Sequence, residues 1–220
     1  MLLIFDVDGT LIDSRDFILE SARRTFAGSA IPYPGDDAFL ATIGLLPERM
    51  MDRLFPERTE NERLDLSARF VDAFWTLRAE RPDAEAPYDG MDGLLATLTA
   101  QGFTLGIATG KKRAGVDHML VHTGWGDRFA TIQTAESGPS KPDPTLIRNA
   151  LAETARSAGD TVMIGDSVFD MEMARAAGVT AIGVGWGYNP SNTLAKAGAD
   201  YLVDSVSELG NLLVRLRQPR

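Results

Sequence analysis

Residues 1–13 read MLLIFDVDGTLID, and the fold turns on how this stretch is read. Leu2, Leu3, Ile4, Phe5 and Val7 make a short apolar run, rich in strand formers and bounded by Gly9, which is the pattern of a buried strand. Asp6 and Asp8 interrupt it. Side chains alternate with period two along a strand, so both carboxylates are expected on one side. Two like charges about 4 Å apart near a protein surface repel by roughly 4 kcal/mol at an effective dielectric near 20. Something must compensate them, and a hard cation is the obvious candidate.

Further along, apolar strand-like runs alternate with helical segments. The runs are TLGIAT (104–109), FATIQT (129–134), TVMIGD (161–166), TAIGVGW (180–186) and a weaker YLVD (201–204). Between them lie amphipathic stretches such as MDGLLATLTAQG and MEMARAAG, each closing on a Gly suited to a helix C-cap. The alternation predicts an α/β fold: a Rossmann-like, mainly parallel sheet with helices on both faces. Residues 14–88 break the rhythm. DFILESARRTF and NERLDLSARFVDAFWTLRAE have helical periodicity, breaks fall at IPYPGDD and FPERTE, and no convincing strand occurs. A helical domain at 14–88, inserted into a core made of 1–13 and 89–220, is the expected organisation.

The chain has 220 residues, enough for one good core with a smaller accessory domain, and a formal net charge of -9. That charge disfavours nucleic acid and anionic lipid as partners. The absence of Cys removes disulfides, thiolate metal sites and Cys nucleophiles. No basic start followed by a long apolar stretch opens the chain, and no segment reaches the ~18 consecutive apolar residues of a membrane span. The expected compartment is the cytoplasm, as a monomer or homodimer.

Polar groups recur at the C-terminal ends of separate strands, the edge where open parallel sheets bind ligands. Asp6 and Asp8 end the first strand, Thr109 and Gly110 the second, and Asp166 the 161–166 run. Lys141 sits in SKPDP, stiffened by Pro142 and Pro144. Each has a bland reading: a strand-end Asp as turn former, Thr109 as a cap for a helix starting near Lys111, Lys141 as a solvated side chain. Their combination is harder to explain that way.

The ordered set DxDGTL, T-G-K, S-K-P and GDSxxD, running from Asp6 to Asp170, resembles the haloacid dehalogenase-like phosphohydrolase superfamily. ATGKKR, SKPDP, GDSVFDMEMARAAG and GVGWGY are most similar to its phosphoglycolate phosphatase group, and the 14–88 insertion resembles that superfamily's helical cap. The resemblance implies a Mg²⁺-dependent phosphatase acting on a small phosphate monoester, phosphoglycolate-like, through an aspartyl-phosphate. It makes Asp6 the nucleophile and Asp8 the general acid and base. Thr109 and Gly110 would bind phosphoryl oxygens, and Lys141 would offset negative charge. Asp6, the Asp8 backbone carbonyl, Asp166 and Asp170 would hold Mg²⁺, Asp170 directly or through water. Thr10 would orient Asp8, and Ser167 stands where Thr is common.

Absent residues narrow the choice. A dehalogenase of this superfamily lacks a carboxylate at the position of Asp8, a Schiff-base hydrolase needs a Lys between Ser14 and Tyr88, and a phosphosugar mutase needs a His where Ile18 stands. None fits. A pyrophosphatase, a sugar or nucleotide phosphatase, and a non-catalytic binding protein on the same fold remain as alternatives. Arg49 in GLLPERMM is the candidate contact for a substrate anion, with a surface pair to Glu48 or Asp52 as its bland reading. Arg15 has the same ambiguity. Phe39, Leu40 and Ile43 read as packing residues, His118 and His122 as a helix-surface pair, Met171 and Met173 as core filling, and Trp186, Gly187 and Tyr188 as core or turn.

Overall fold

The computed structural model describes residues 1–82 and 84–217. Its strands are β1 (Leu2–Phe5), β2 (Ile12–Asp13), β3 (Ala86–Pro87), β4 (Thr104–Ala108), β5 (Phe129–Gln133), β6 (Thr161–Gly165), β7 (Thr180–Val184) and β8 (Tyr201–Val203). Its α-helices are α1 (Arg15–Phe26), α2 (Asp36–Leu40), α3 (Pro47–Leu54), α4 (Glu60–Glu80), α5 (Met91–Ala100), α6 (Arg113–Thr123), α7 (Thr145–Thr154), α8 (Val168–Ala177), α9 (Ser191–Ala197) and α10 (Val206–Arg217).

Six strands form one sheet in the order β5-β4-β1-β6-β7-β8, and every pairing in it is parallel. β1 lies inside the sheet, with Leu2 opposite Thr104 on one side and Thr161 on the other. Its alternation divides the core. Leu3 and Phe5 point into an apolar cluster built with Leu95, Val116 and Leu213 from α5, α6 and α10. Leu2 and Ile4 point the opposite way, onto Ile147, Met171, Met173 and Leu194 from α7, α8 and α9. Both faces of β1 are therefore dry, which is why its sequence is a continuous apolar run rather than an alternating one.

Helices α1 to α4 gather a third cluster of their own, with Ile18, Phe26, Phe39, Met51, Leu66 and Phe70 inside it. The long α4 starts on a capping box: Thr59 accepts from the Glu62 backbone N–H at 3.3 Å while Glu62 accepts from the Thr59 N–H at 2.9 Å. Phe39 and Leu40 pack as their spacing suggested. One element escaped the sequence reading. The two connections between the helical segment and the sheet pair with each other as β2 and β3, antiparallel, with Ile12 opposite Pro87. Two-residue strands carry no periodicity to detect.

Phe5 is fully buried in the layer beneath α5 and α6, so Phe5→Ala should lower unfolding stability by about 3–5 kcal/mol, measured by urea titration. A loss under about 1 kcal/mol would mean that this layer closes over the cavity or was never tightly packed.

Candidate active site

β1 ends at Phe5, and the chain then turns on one carbonyl: the Val7 oxygen accepts from the N–H groups of Thr10, Leu11 and Ile12 at 3.2, 2.9 and 3.0 Å. Because the strand stops there, period two does not extend to Asp8, though both carboxylates line one cavity. Each takes its own lysine. Lys141 Nζ lies 3.0 Å from Asp6 Oδ1, and Lys111 Nζ lies 2.6 Å from Asp8 Oδ1. Each carboxylate thus has a lysine as counter-charge, while Asp8 still acts to raise the Asp6 carboxyl.

Around Asp6 the packing is dense. Its Oδ1 accepts from the Val7 N–H at 2.7 Å, and Lys141 also reaches Asp170 Oδ1 at 2.6 Å. Ser167 and Asp170 form the capping box that begins α8, with Ser167 Oγ donating to Asp170 Oδ2 at 2.6 Å. Asp166 accepts from the Tyr188 N–H at 2.8 Å and from Thr10 Oγ1 at 3.2 Å. Two glycines permit that grip. A Cβ at Gly187 would stand 2.2 Å from Asp166 Cβ, and one at Gly9 2.3 Å from Asp166 Oδ2. Gly9 also has φ +80, in the left-handed region.

Asp6, Asp166 and Asp170 are buried, with one carboxylate oxygen from each within 4.8 Å of the others. Among the described residues they are the one such cluster of three or more ligating side chains. Burial pushes the Asp6 carboxyl up to about 6 against the pull of Lys141, with Asp170 and Asp8 adding to the rise. Burial, then Asp170 and Asp6, raises Asp166 well above the carboxylate range. Burial disfavours the Lys141 ammonium, yet Asp170 and Asp6 outweigh it and push the group up to about 12.

Asp8 belongs to a second network. Ser14 Oγ donates to Asp8 Oδ1 at 2.6 Å, Lys111 continues to Glu85 Oε1 at 3.0 Å, and Glu85 pairs with Arg78 of α4. Burial works against the Asp8 charge, but Lys111, the Ser14 hydrogen bond and Arg78 together hold it below its ordinary range. The Arg78 guanidinium is covered by ring faces, 4.8 Å from the Phe74 centroid and 5.5 Å from those of Phe17 and Trp75. Its Nε and Nη1 have no hydrogen-bond acceptor.

Thr109 is buried at the end of β4, its N–H bound to the Gln133 carbonyl at 3.0 Å. Its Oγ1 accepts from the Lys111 N–H at 3.2 Å, leaving the hydroxyl proton available. Thr109 does not cap α6, which starts at Arg113 behind Lys112. A Cβ at Gly110 would meet the Gly44 carbonyl oxygen at 2.5 Å, so the loop after α2 rests on this glycine. Asp6, Asp8, Thr109, Gly110 and Lys111 all line a cavity with an empty volume of about 720 Å³, part of it open to solvent.

Other expectations resolve differently. Arg49 is not among the cavity residues: its side chain is 68% exposed and pairs with Asp52 at 3.3 Å, while its neighbours Pro47 and Met50 do line the space. Thr10 serves Asp166, and Ser14 orients Asp8 in the way expected of Thr10. Arg15 donates to the Gly187 carbonyl at 3.2 Å and lies over the Tyr188 ring. The 186–188 segment does more than turn the chain, because its backbone holds Asp166 and the Tyr188 hydroxyl accepts from the Ser14 N–H at 3.0 Å. His118 and His122 stack at 3.9 Å on α6, and neither belongs to the carboxylate cluster. Lys111, Ser14 and Glu85 were missed. The available signal was Lys111's place directly after T-G at a strand end, in a chain with only four lysines.

The chain matches the family described as haloacid dehalogenase-like hydrolase over residues 3–184, and it belongs to that family. It is 32% identical over 212 residues to the probable phosphatase IndB of Dickeya dadantii (strain 3937), covering 94% of this chain and 91% of that one. It is 28% identical to a phosphoglycolate phosphatase of Nitrosococcus oceani, covering 96% of each. The crystal structure of a hydrolase from Pseudomonas syringae superposes with a TM-score of 0.86 at 25% identity, covering 98% of both chains.

The Asp8 network has a measurable consequence. Lys111→Met leaves two largely buried carboxylates, Asp8 and Glu85, without their shared cation, and removing one partner of a buried pair costs up to about 3–5 kcal/mol. Asp8 is held below its ordinary 3.8 in the folded state, so this stabilisation is present above pH 3.8 and is lost as pH falls through the folded value. Urea midpoints of parent and variant should therefore differ most at neutral pH and converge in acid. A gap that stays constant with pH would rule out the charge bridge.

Proposed function

We propose that the chain is a Mg²⁺-dependent phosphatase of small phosphorylated metabolites in the cytoplasm, working through an aspartyl-phosphate on Asp6. The observation that carries this reading is the setting of Asp6: a buried carboxylate at a strand end, opening onto a cavity beside Thr109 and Gly110 and backed by Lys141. Membership of a hydrolase family and the presence of phosphatases among its relatives support it. No helix among the described residues is long and apolar enough to cross a membrane. The helical segment 14–88 acts as a cap over the core formed by 1–13 and 89–220; its apolar cluster, drawn from that segment apart from Tyr188, supports that division.

An Asp6 oxygen attacks phosphorus as the bond to the leaving oxygen breaks, and Asp8 gives that oxygen its proton. Asp8 is ionised in the resting site and takes up a proton from solvent as the phosphate anion arrives, because like-charge repulsion raises its proton affinity; that proton is the one it gives to the leaving oxygen. Thr109 Oγ donates to a phosphoryl oxygen, and Lys141 stabilises charge on the transferring group. Asp8 then takes a proton from water, whose oxygen attacks phosphorus and frees the Asp6 carboxylate.

The donor set fits a hard divalent cation. Three buried carboxylates face a single ammonium, so full ionisation leaves two uncompensated negative charges. Asp6, Asp166 and Asp170, with the Asp8 carbonyl, would hold Mg²⁺, which when bound neutralises phosphoryl charge. Asp170 is already engaged by Lys141 and Ser167, which favours an indirect role for it.

Two tests follow. Asp6→Asn should reduce phosphate release at least about a thousandfold, by removing the nucleophile, with the circular dichroism spectrum intact; retained turnover would exclude Asp6. Millimolar Mg²⁺ should raise the melting temperature. Asp6 is raised from 3.8 to about 6 in the folded state, so protonation favours the metal-free fold below pH 3.8 and that contribution is lost as pH rises through 6. Cation and proton compete for the same oxygens, so the Mg²⁺ shift should be large at pH 8 and shrink below pH 6. A shift independent of pH would place the cation elsewhere.

A further inference from the structure

The cavity over Asp6 has two chemically distinct walls. The core side presents Asp6, Asp8, Thr109, Lys111 and the solvent-exposed Lys112, with Gly110 and Gly115 between them. The helical side presents Ile18, Leu45, Met50, Phe70, Phe74 and Trp75, with Ile43, Gly44, Pro47 and Val71 completing it. That wall has no charged side chain and, apart from the Trp75 indole N–H, no conventional side-chain hydrogen-bonding group. From these contents we infer that the leaving group of the substrate is uncharged and apolar, with an aromatic or alkyl body. The inference rests on the phosphatase reading above and narrows its substrate class away from phosphoglycolate and pyrophosphate.

The nearby cations strengthen it. Lys111 sits between Asp8 and Glu85, and Arg78 is paired with Glu85, so two positive and two negative charges balance without a ligand. Arg78 stands behind the rings of Phe74 and Trp75 and is not a lining residue. Arg49 points to solvent beside Asp52. A phosphoryl group on Asp6 directs its leaving group toward the helical wall, because the core side is occupied by the phosphate-binding groups. There, a carboxylate or second phosphate is desolvated against apolar side chains with no counter-ion on that wall, and the Lys112 ammonium opposite is exposed to water, so the burial costs binding energy. An apolar body fills the same space favourably, and the ring faces of Phe70, Phe74 and Trp75 suit an aromatic one.

The test is the specificity of the full chain with Mg²⁺ for 2-phenylethyl phosphate against phosphoglycolate, both of which lose a primary alkoxide, with pyrophosphate as a third substrate and Asp6→Asn as control. The expected result is a kcat/KM at least tenfold higher for 2-phenylethyl phosphate than for either of the others. Equal or reversed preference, with turnover still dependent on Asp6, overturns the leaving-group inference and leaves the phosphatase reading standing. Phosphate release from none of the three, or release unaffected by Asp6→Asn, overturns both. As a second measurement, Trp75→Arg places a cation at a partly exposed position of the same wall. It should shift the ratio at least tenfold toward phosphoglycolate; an unchanged ratio in a folded variant also overturns the inference.

Discussion

Three carboxylates and one ammonium share a volume from which water is almost excluded, and much of the molecule is arranged to hold them there. Asp6, Asp166, Asp170 and Lys141 each expose 2% or less of their surface. Such a cluster survives only if its lone pairs are met by hydrogen bonds. The bonds that meet them are also those that build the local backbone. Ser167 and Asp170 start α8, and the Tyr188 N–H that grips Asp166 fixes the loop after β7. Secondary structure and site are thus held by the same contacts, and a change aimed at one disturbs the other.

Asp8 is governed by a different balance. Its negative charge is passed through Lys111 to Glu85 and on to Arg78, so α4 of the helical segment is electrostatically tied to Asp8. The first cluster carries excess negative charge and suits a cation; the second is already neutral and needs none. Two carboxylates a single residue apart in sequence thereby receive opposite treatment, Asp6 held above its ordinary pKa and Asp8 below it. Groups pushed apart in this way can carry separate roles in one reaction.

The inner strands β1, β4, β6 and β7 were legible because they are buried on both faces and therefore read as apolar runs, and β1, β4 and β6 end at Asp6, Thr109 and Asp166 on the binding edge. The groups around Asp6 were legible for the same reason: Asp166, Asp170 and Lys141 lie on motifs whose spacing survives in the linear chain. What stayed hidden depends on contacts between distant segments. Ser14 and Lys111 meet Asp8 across 6 and 103 positions of sequence, and no periodicity announces such a meeting. Thr10 turned toward Asp166 because the chain folds back on the Val7 carbonyl rather than continuing as strand. Arg49 was attractive by residue type alone; the register of α3 sends Met50 inward and leaves Arg49 outside.

The short β2–β3 pairing has an architectural consequence. Because Ile12 and Pro87 lie side by side, the helical insert leaves and re-enters the sheet through adjacent doorways, and its own two ends nearly meet. A unit spliced in this way places little constraint on the length or shape of what lies between. The sheet and the helical insert can therefore diverge separately: a different insert can be grafted at the same two residues while the sheet edge, with its carboxylates and lysines, is kept whole.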